Sequence, residues 1–244
     1  MQFHAPLLQG ILVKRYKRFF ADVQLTDGTV ITAHCVNTGA MVGLTEPGTT
    51  VWICPKASHS KGKLEFVWMM VEKHNALIGC NTSTPSKVVK EAIEQKIFPF
   101  LPHYPSWRAE IPLGHSRLDF CFYDEHKAPF YVEVKNVHLR QDQAALFPDC
   151  VTERGTRHLE LLTELTQRGI KTAMLYIVQR QDISEFGIAG FFDLAYGKAA
   201  EKALAAGVTF MGYKCQLTTL EITLDPQPLT FKGVLFERGS QPLL

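Results

Sequence analysis

Glu110, Asp119, Glu133 and Lys135 are the residues of this 244-residue chain whose types and spacing suit one reaction centre. They lie in three segments of alternating polarity, Arg108 to Leu113, Ser116 to Phe122 and Phe130 to Asn136. Gly114-His115, between the first two, is a Gly-first two-residue hairpin turn. Closing it pairs Leu113 with Ser116 and sets Glu110 opposite Asp119. A following loop symmetric about His126 sets Asp119 opposite Glu133 and Arg117 opposite Lys135. Alternation sends Leu118, Phe120, Phe122, Val132 and Val134 to the other face, against a core. Directly opposed side chains have Cβ atoms roughly 5 Å apart, so a row of three acids is costly unless a cation sits among them. A divalent ion, Mg²⁺ or Mn²⁺, is the simplest such cation, because Mg²⁺ takes one or two carboxylates together with water and substrate phosphate. Lys135 points the same way as Glu133 and lies roughly 7 Å further along the strand. It is placed to orient a water or to stabilise charge on a phosphate under attack. The same residues also fit a solvated sheet face bridged by Arg108, Arg117 and Lys135, and both readings stand at this point.

The elements that must position these residues follow from turn and cap signals. Residues 1–82 read as short strands. Phe20–Thr26 and Thr29–His34 flank Asp27-Gly28, a type I′ hairpin signal. Further strands are expected at Thr50–Cys54, Leu64–Glu72 and Ala76–Cys80, and several short strands in about 80 residues suggest a small barrel, with an OB-type barrel one candidate. Thr84-Pro85 starts a helix through Lys96 with Val88, Val89, Ala92 and Ile93 on one stripe. Phe147-Pro148-Asp149 introduces a second helix to about Arg168, with Leu159, Leu162 and Leu165 inward and Gly169 as its stop. Thr172–Val178 is an apolar run expected of a strand buried on both faces. Asp193 caps a third helix ending near Gly207, and Val208–Cys215 is expected as the last strand, which makes a crossover unit.

Composition bounds the classes. Apolar content is 46% and the formal net charge is +2, which describes a globular protein with room for one large domain or two modest ones. Residues 1–85 hold eight Lys/Arg against five Asp/Glu, a mildly basic part that suits a polyanion without demanding one. The six cysteines are dispersed, with no CxxC pair or Cys/His ligand spacing. That argues against a zinc site and fits a reducing compartment. No signal-peptide pattern or membrane-length apolar run is present, so a cytoplasmic protein without membrane contact is expected.

Helix, three-strand meander, helix and strand is the order of the PD-(D/E)xK nuclease core, with Asp119…Glu133-Val134-Lys135 in its signature place. The chain also resembles the sugar fermentation stimulation protein (SfsA) family. Arg15–Phe19, His34–Met41, Cys80-Asn81-Thr82, Ser116–Phe120, Tyr131–Val137 and Phe147–Gly155 carry this resemblance in order through nearly the whole chain. It departs at Val36, where proline is expected, and at Arg157, where lysine is expected; the latter exchanges a point donor for a fork. The resemblance implies a fold that is α/β in its crossover units and α+β overall. An N-terminal OB-like barrel (1–83) is followed by a PD-(D/E)xK nuclease-like mixed-sheet domain (84–244). It also implies sequence-nonspecific DNA binding and a regulatory role in sugar (maltose) metabolism. A transcription-factor partner and an oligomer are further expectations. Glu110, Asp119 and Glu133 are the candidate metal ligands, and with Lys135 they are the candidate catalytic set.

For DNA contact, Lys14, Arg15, Lys17 and Arg18, interleaved with Tyr16 and Phe19, are the N-terminal candidates: cations for phosphates, an aromatic for an unpaired base. A charged edge strand that discourages aggregation is the alternative. Lys56, Lys61 and Lys63 read as a solvated loop. Arg154, Arg157 and His158, at i, i+3 and i+4, share a helix face and are expected to meet phosphate across the acids together with Arg117. His34 and Asn37, with Thr38, are assigned a binding or domain-interface role, against a polar turn that satisfies its own backbone.

Overall fold

The computed structural model describes residues 1–57 and 62–243; Lys61 lies outside them. The first strands are β1 (Leu8–Tyr16), β2 (Phe20–Leu25), β3 (Val30–His34), β4 (Thr50–Pro55) and β5 (Phe66–Lys73). β1 pairs antiparallel with β2 and β4, β2 with β3 and β4 with β5, and a parallel pairing of β3 with β5 closes the ring. This is a closed five-stranded barrel of OB type. Its interior is filled by alternate residues such as Leu12, Val23, Val51, Ile53 and Trp68, as period-two strands require. β6 (Ala76–Gly79) adds to β5 as a hairpin. The Asp27-Gly28 turn differs from expectation by one residue. β2 and β3 close at Gln24↔Val30 with Leu25 N–H donating to Thr29 O, so the loop is Thr26-Asp27-Gly28. Gly28 alone takes a positive φ there, 86°, the arrangement of a three-residue loop rather than a two-residue type I′ turn.

Next come α1 (Thr84–Glu94), the meander β7 (Ser106–Leu113), β8 (Ser116–Tyr123) and β9 (Pro129–Val137), then β10 (Leu139–Gln141), β11 (Ala144–Phe147), α2 (Glu153–Gln167), β12 (Lys171–Val178), β13 (Glu185–Ala189), α3 (Leu194–Ala206) and β14 (Thr209–Leu217). Most helix ends fall where expected, but the N-cap of α1 is Ser83, with no side-chain hydrogen bond, and α2 is capped by Thr152, whose hydroxyl accepts from Gly155 N–H. Proline opens α1, Gly169 follows α2 with φ 81°, and Asp193 accepts from Tyr196 N–H before Gly207 ends α3 in the left-handed region. β14 is not the last strand. β15 (Ile222–Pro228) returns antiparallel to it, and β16 (Thr230–Leu235) joins a second sheet ordered β10-β11-β13-β16. These late strands are half exposed and polar at alternate positions, so they lack the apolar run that marks β12.

The main sheet runs β15-β14-β12-β9-β8-β7, with β9, β12 and β14 parallel. On one face the α1 stripe (Val88, Val89, Ala92, Ile93) packs with Phe120, Val132 and Leu175 and also with Cys54, Met69 and Met70 of the barrel. On the other face Leu159 and Leu162 of α2 and Ala200 of α3 meet Met174, Tyr176 and Val178. No helix among the described residues is long and apolar enough to cross a membrane.

Candidate metal and nucleic-acid site

β7 and β8 pair in the register that the Gly114-His115 turn dictates, from Leu113↔Ser116 to Ser106↔Tyr123. β8 and β9 follow the register symmetric about His126, from Tyr123↔Pro129 to Phe120↔Val132, where pairing ends. One step beyond, the strands part. Asp119 turns its carboxylate into the opening, and its Oδ2 accepts from Val134 N–H at 2.8 Å. Glu110, in the matching position of β7, has a left-handed φ of 57°, a conformation costly for a side-chain-bearing residue. The hairpin tip therefore bends. Leu118, expected to follow Phe120 and Val132 onto the α1 face, packs instead with the α2 cluster.

Glu133 is 3% exposed. Its Oε1 accepts from Lys135 Nζ at 2.7 Å and from His158 Nδ1 of α2. Nδ1 carries the proton it gives to Glu133, so Lys135 Nζ, 3.2 Å away, shares the oxygen with it rather than bonding to it. The other oxygen, Oε2, is buried with no hydrogen-bond partner. Burial pulls the Glu133 pKa upward, but the His158 hydrogen bond and the Lys135 charge outweigh it and hold the carboxyl below its ordinary range. Asp119 behaves oppositely. Burial, then the neighbouring Glu133 charge, push its pKa up to about 7 against the Val134 hydrogen bond and Lys135. Two adjacent carboxyls driven apart in this way are the arrangement expected where one more positive charge is wanted.

Glu110 does not close onto the other two acids. It is 54% exposed and ion-paired to Arg117 Nε at 2.8 Å. Arg117 thus bridges to β7 rather than standing against Lys135. Among the described residues no three His, Cys, Asp or Glu side chains are gathered in a metal-ready group as they stand.

The expected binding residues separate. His158 is buried against Glu133, whereas Arg154 and Arg157 are exposed, with Arg157 within 3.8 Å of Glu153. The three do not share one phosphate-facing surface, because α2 packs on β12 and turns position 158 inward to Glu133. Arg15 is not an open cation: its guanidinium donates to the carbonyls of Asn37 and Gly39 at 2.9 Å each, and more distantly to those of Arg18 and Ala40. Lys14 reaches Asp22 at 3.5 Å and lies over the Tyr16 ring. Lys17 and Arg18 are exposed at the β1–β2 turn, both with positive φ. His34 is half-buried at the end of β3, and Asn37 is buried, its Oδ1 accepting from Gly39 N–H at 2.8 Å.

Asp149 is a residue that sequence reasoning passed over. Its Oδ2 accepts from Met41 N–H at 2.8 Å and lies 3.2 Å from His138 Nε2, tying the barrel loop to β9's continuation. Burial raises its pKa, but the His138 contact and Met41 amide prevail and bring it down to about 2. Asn136, beside Lys135, receives Gln179 Nε2, which also donates to Asn81 O at 3.0 Å. The only signal for Asp149, Asn136 and Asn81 was their place inside the blocks of family resemblance; His138 and Gln179 lie outside those blocks.

Comparison with known proteins fits this architecture. Residues 13–80 match the profile of the SfsA N-terminal OB domain, and residues 83–221 match that of the sugar fermentation stimulation protein RE domain. The sugar fermentation stimulation protein homolog of Rhodospirillum centenum is 43% identical over 92% of this chain and 97% of its own. That of Synechocystis is 41% identical over 95% of each. A solved structure, that of Pyrococcus furiosus SfsA in complex with Ca²⁺, overlays with a TM-score of 0.86 at 26% identity, covering 95% of this chain and 98% of that one. With two family domains in sequence order and relatives matched over nearly their full length, the chain belongs to the sugar fermentation stimulation protein family.

Proposed function

We propose that this chain is a sequence-nonspecific DNA-binding protein whose acids form a divalent-metal site of nuclease type. The observation that carries the reading is the partnerless buried Oε2 of Glu133 beside an Asp119 carboxyl held near neutral pKa. A buried acceptor left unpaired costs about 1–3 kcal/mol, and more when charged, so a cation between these groups would relieve both. Asp119 and Glu133 fit such an ion as oxygen donors, and Glu110 would join them by releasing Arg117. Mg²⁺ or Mn²⁺ bound there would supply a polarised water and charge neutralisation at a phosphate. The Ca²⁺ of the P. furiosus structure, another oxygen-seeking cation, supports the same chemistry.

The side chains divide the remaining work. Lys135, held by Glu133, presents an ammonium that can orient water or meet phosphate charge. His158 fixes the Glu133 carboxylate so that Oε2 stays turned away from α2's hydrogen bond. Exposed Lys17, Arg18, Arg154 and Arg157 offer phosphate contacts. Within the cell we place the protein in the cytoplasm as a regulator linked to sugar (maltose) metabolism, acting on DNA alone or with a transcription factor, as a monomer or an oligomer.

A second reading, DNA binding without turnover, is favoured by the Glu110–Arg117 pair, which holds one of the three acids away; a nuclease-like fold can lend its groove to binding alone. Incubating supercoiled and single-stranded DNA with protein and Mn²⁺, alongside Glu133→Gln and an EDTA control, tests the choice. Metal-dependent product from the wild type alone supports hydrolysis. Equal product from both proteins removes it.

A further inference from the structure

We propose that a cleft at the outer edge of the meander is a binding site for an unpaired nucleotide, which makes single-stranded DNA the preferred ligand. The proposal rests on the nucleic-acid reading above and adds a substrate class to it. The cleft measures about 380 Å³ and is lined by Ser106, Trp107, Arg108, Tyr123 and Lys127, within the size range of small-ligand sites. Arg108 and Lys127 are exposed, and among the described residues neither has an ion-pair partner. Two half-buried aromatics stand beside them. Trp107 is anchored by packing against Phe120, with ring centroids 5.9 Å apart. Free cations next to a partly exposed ring, here Tyr123, are what recognises a splayed-out nucleotide: charge for phosphate, a ring face for the base.

The register connects this cleft to the acids. Arg108 pairs with Cys121, and Cys121 pairs with Tyr131. Tyr131 precedes Glu133 by two residues, so it shares Glu133's face of the sheet. Arg108 therefore lies on the acid-bearing face, two strands across and two residues along, roughly 12 Å from Glu133 by strand spacing. Tyr123, paired with Ser106, stands on the same face one alternation further out. A single strand with one phosphate at the acids would lay its neighbouring nucleotides on the cleft. A continuous duplex keeps its bases stacked and cannot offer a ring to Tyr123; Trp107, paired with Phe122 and packed on Phe120, faces the α1 side and serves as the wall of the cleft at the sheet edge. The acidic neighbours Asp124 and Glu125 border an adjoining hollow with His103, His126 and Lys171, and Asp124 is occupied in capping its own turn through the His126 and Ala128 amides.

The test is fluorescence anisotropy of a short labelled oligothymidylate and of a blunt duplex, in EDTA, over a salt series. Tyr123→Leu should weaken oligothymidylate binding by about fivefold or more, the low end of base-stacking energies, and change duplex affinity by less than about twofold. Arg108→Ala with Lys127→Ala should flatten the logarithmic salt dependence for the single strand by about 1.4, at about 0.7 per lost phosphate contact. Both positions are exposed, so this double variant carries the test even if Tyr123→Leu melts early. Equal losses on single strand and duplex, or an unchanged salt slope, would overturn the proposal. EDTA removes turnover, so failure here leaves the metal-centred reading standing, and failure of metal-dependent hydrolysis would leave this binding result intact.

Discussion

Asp119→Asn should stabilise the metal-free protein and abolish its stabilisation by metal, two opposite effects from one atom change. In the folded chain the Asp119 carboxyl titrates at about 7 instead of 3.8, chiefly through burial and then through the Glu133 charge. Below pH 3.8 the group is protonated in both states and costs nothing. Between 3.8 and 7 the unfolded chain releases its proton while the folded one keeps it, so stability falls as pH rises. Above 7 the full penalty remains. Three units at 1.36 kcal/mol each set an upper bound of about 4 kcal/mol. Asp119 is only half-buried, and solvent screening brings the working figure to about 2 kcal/mol. Asparagine removes the charge yet can still accept from Val134 N–H. For a chain of this length each kcal/mol moves the melting temperature by about 2–4 °C. The variant should therefore melt about 4–8 °C above wild type at pH 8 in EDTA, and close to it at pH 4. With millimolar Ca²⁺ or Mn²⁺ the wild type should rise, because an ion bound only by the folded state stabilises it, while Asp119→Asn should not move. A variant that melts lower in EDTA at pH 8, or responds to metal as the wild type does, refutes the reasoning.

Three further outcomes follow from the same contacts. His158→Leu should lose about 1.5–3 kcal/mol in urea unfolding, the range for a hydrogen bond to a charged group, and His158→Asn, which retains a donor, should lose less. Arg15→Ala should cost about 1–3 kcal/mol by orphaning the Asn37 and Gly39 carbonyls, whereas Lys17→Ala with Arg18→Ala should stay within about 0.5 kcal/mol and instead reduce the salt dependence of DNA binding. Asp149, with its pKa held near 2, contributes stability above pH 3.8 that is lost as pH falls toward 2. Asp149→Asn should accordingly destabilise by about 2 kcal/mol at pH 7, with urea midpoints converging on wild type near pH 2.

Local signals made much of the fold legible. The Gly114-His115 turn fixed the pairing of β7 with β8, because register in a hairpin follows its loop. Pro85, Asp193 and Gly207 marked helix ends by chemistry that acts within a few residues, whereas the Thr84 hydroxyl, inside the first turn, does not cap. The buried run in β12 declared a strand covered on both sides. What stayed hidden depends on contacts distant in sequence. β13 and β16 are five- and six-residue strands recognisable only by their partners in the second sheet. Glu110 carries no local mark of its left-handed backbone, yet that one residue bends the hairpin tip, sends Leu118 to the α2 core and frees Glu110 to meet Arg117. Arg15 read as a phosphate contact because its charge is visible in sequence, whereas the carbonyls it binds come together only when the loop after β3 folds back. The acid row was therefore legible as a register, and its electrostatics only as a structure.

The most direct measurement is anomalous diffraction from a crystal of the protein soaked in Mn²⁺. One peak about 2.0–2.3 Å from an Asp119 oxygen and from Glu133 Oε2, with Lys135 and His158 still on Oε1, is the predicted result. A map without a peak between these carboxylates, or with manganese bound elsewhere while Glu133 Oε2 remains bare, would contradict it.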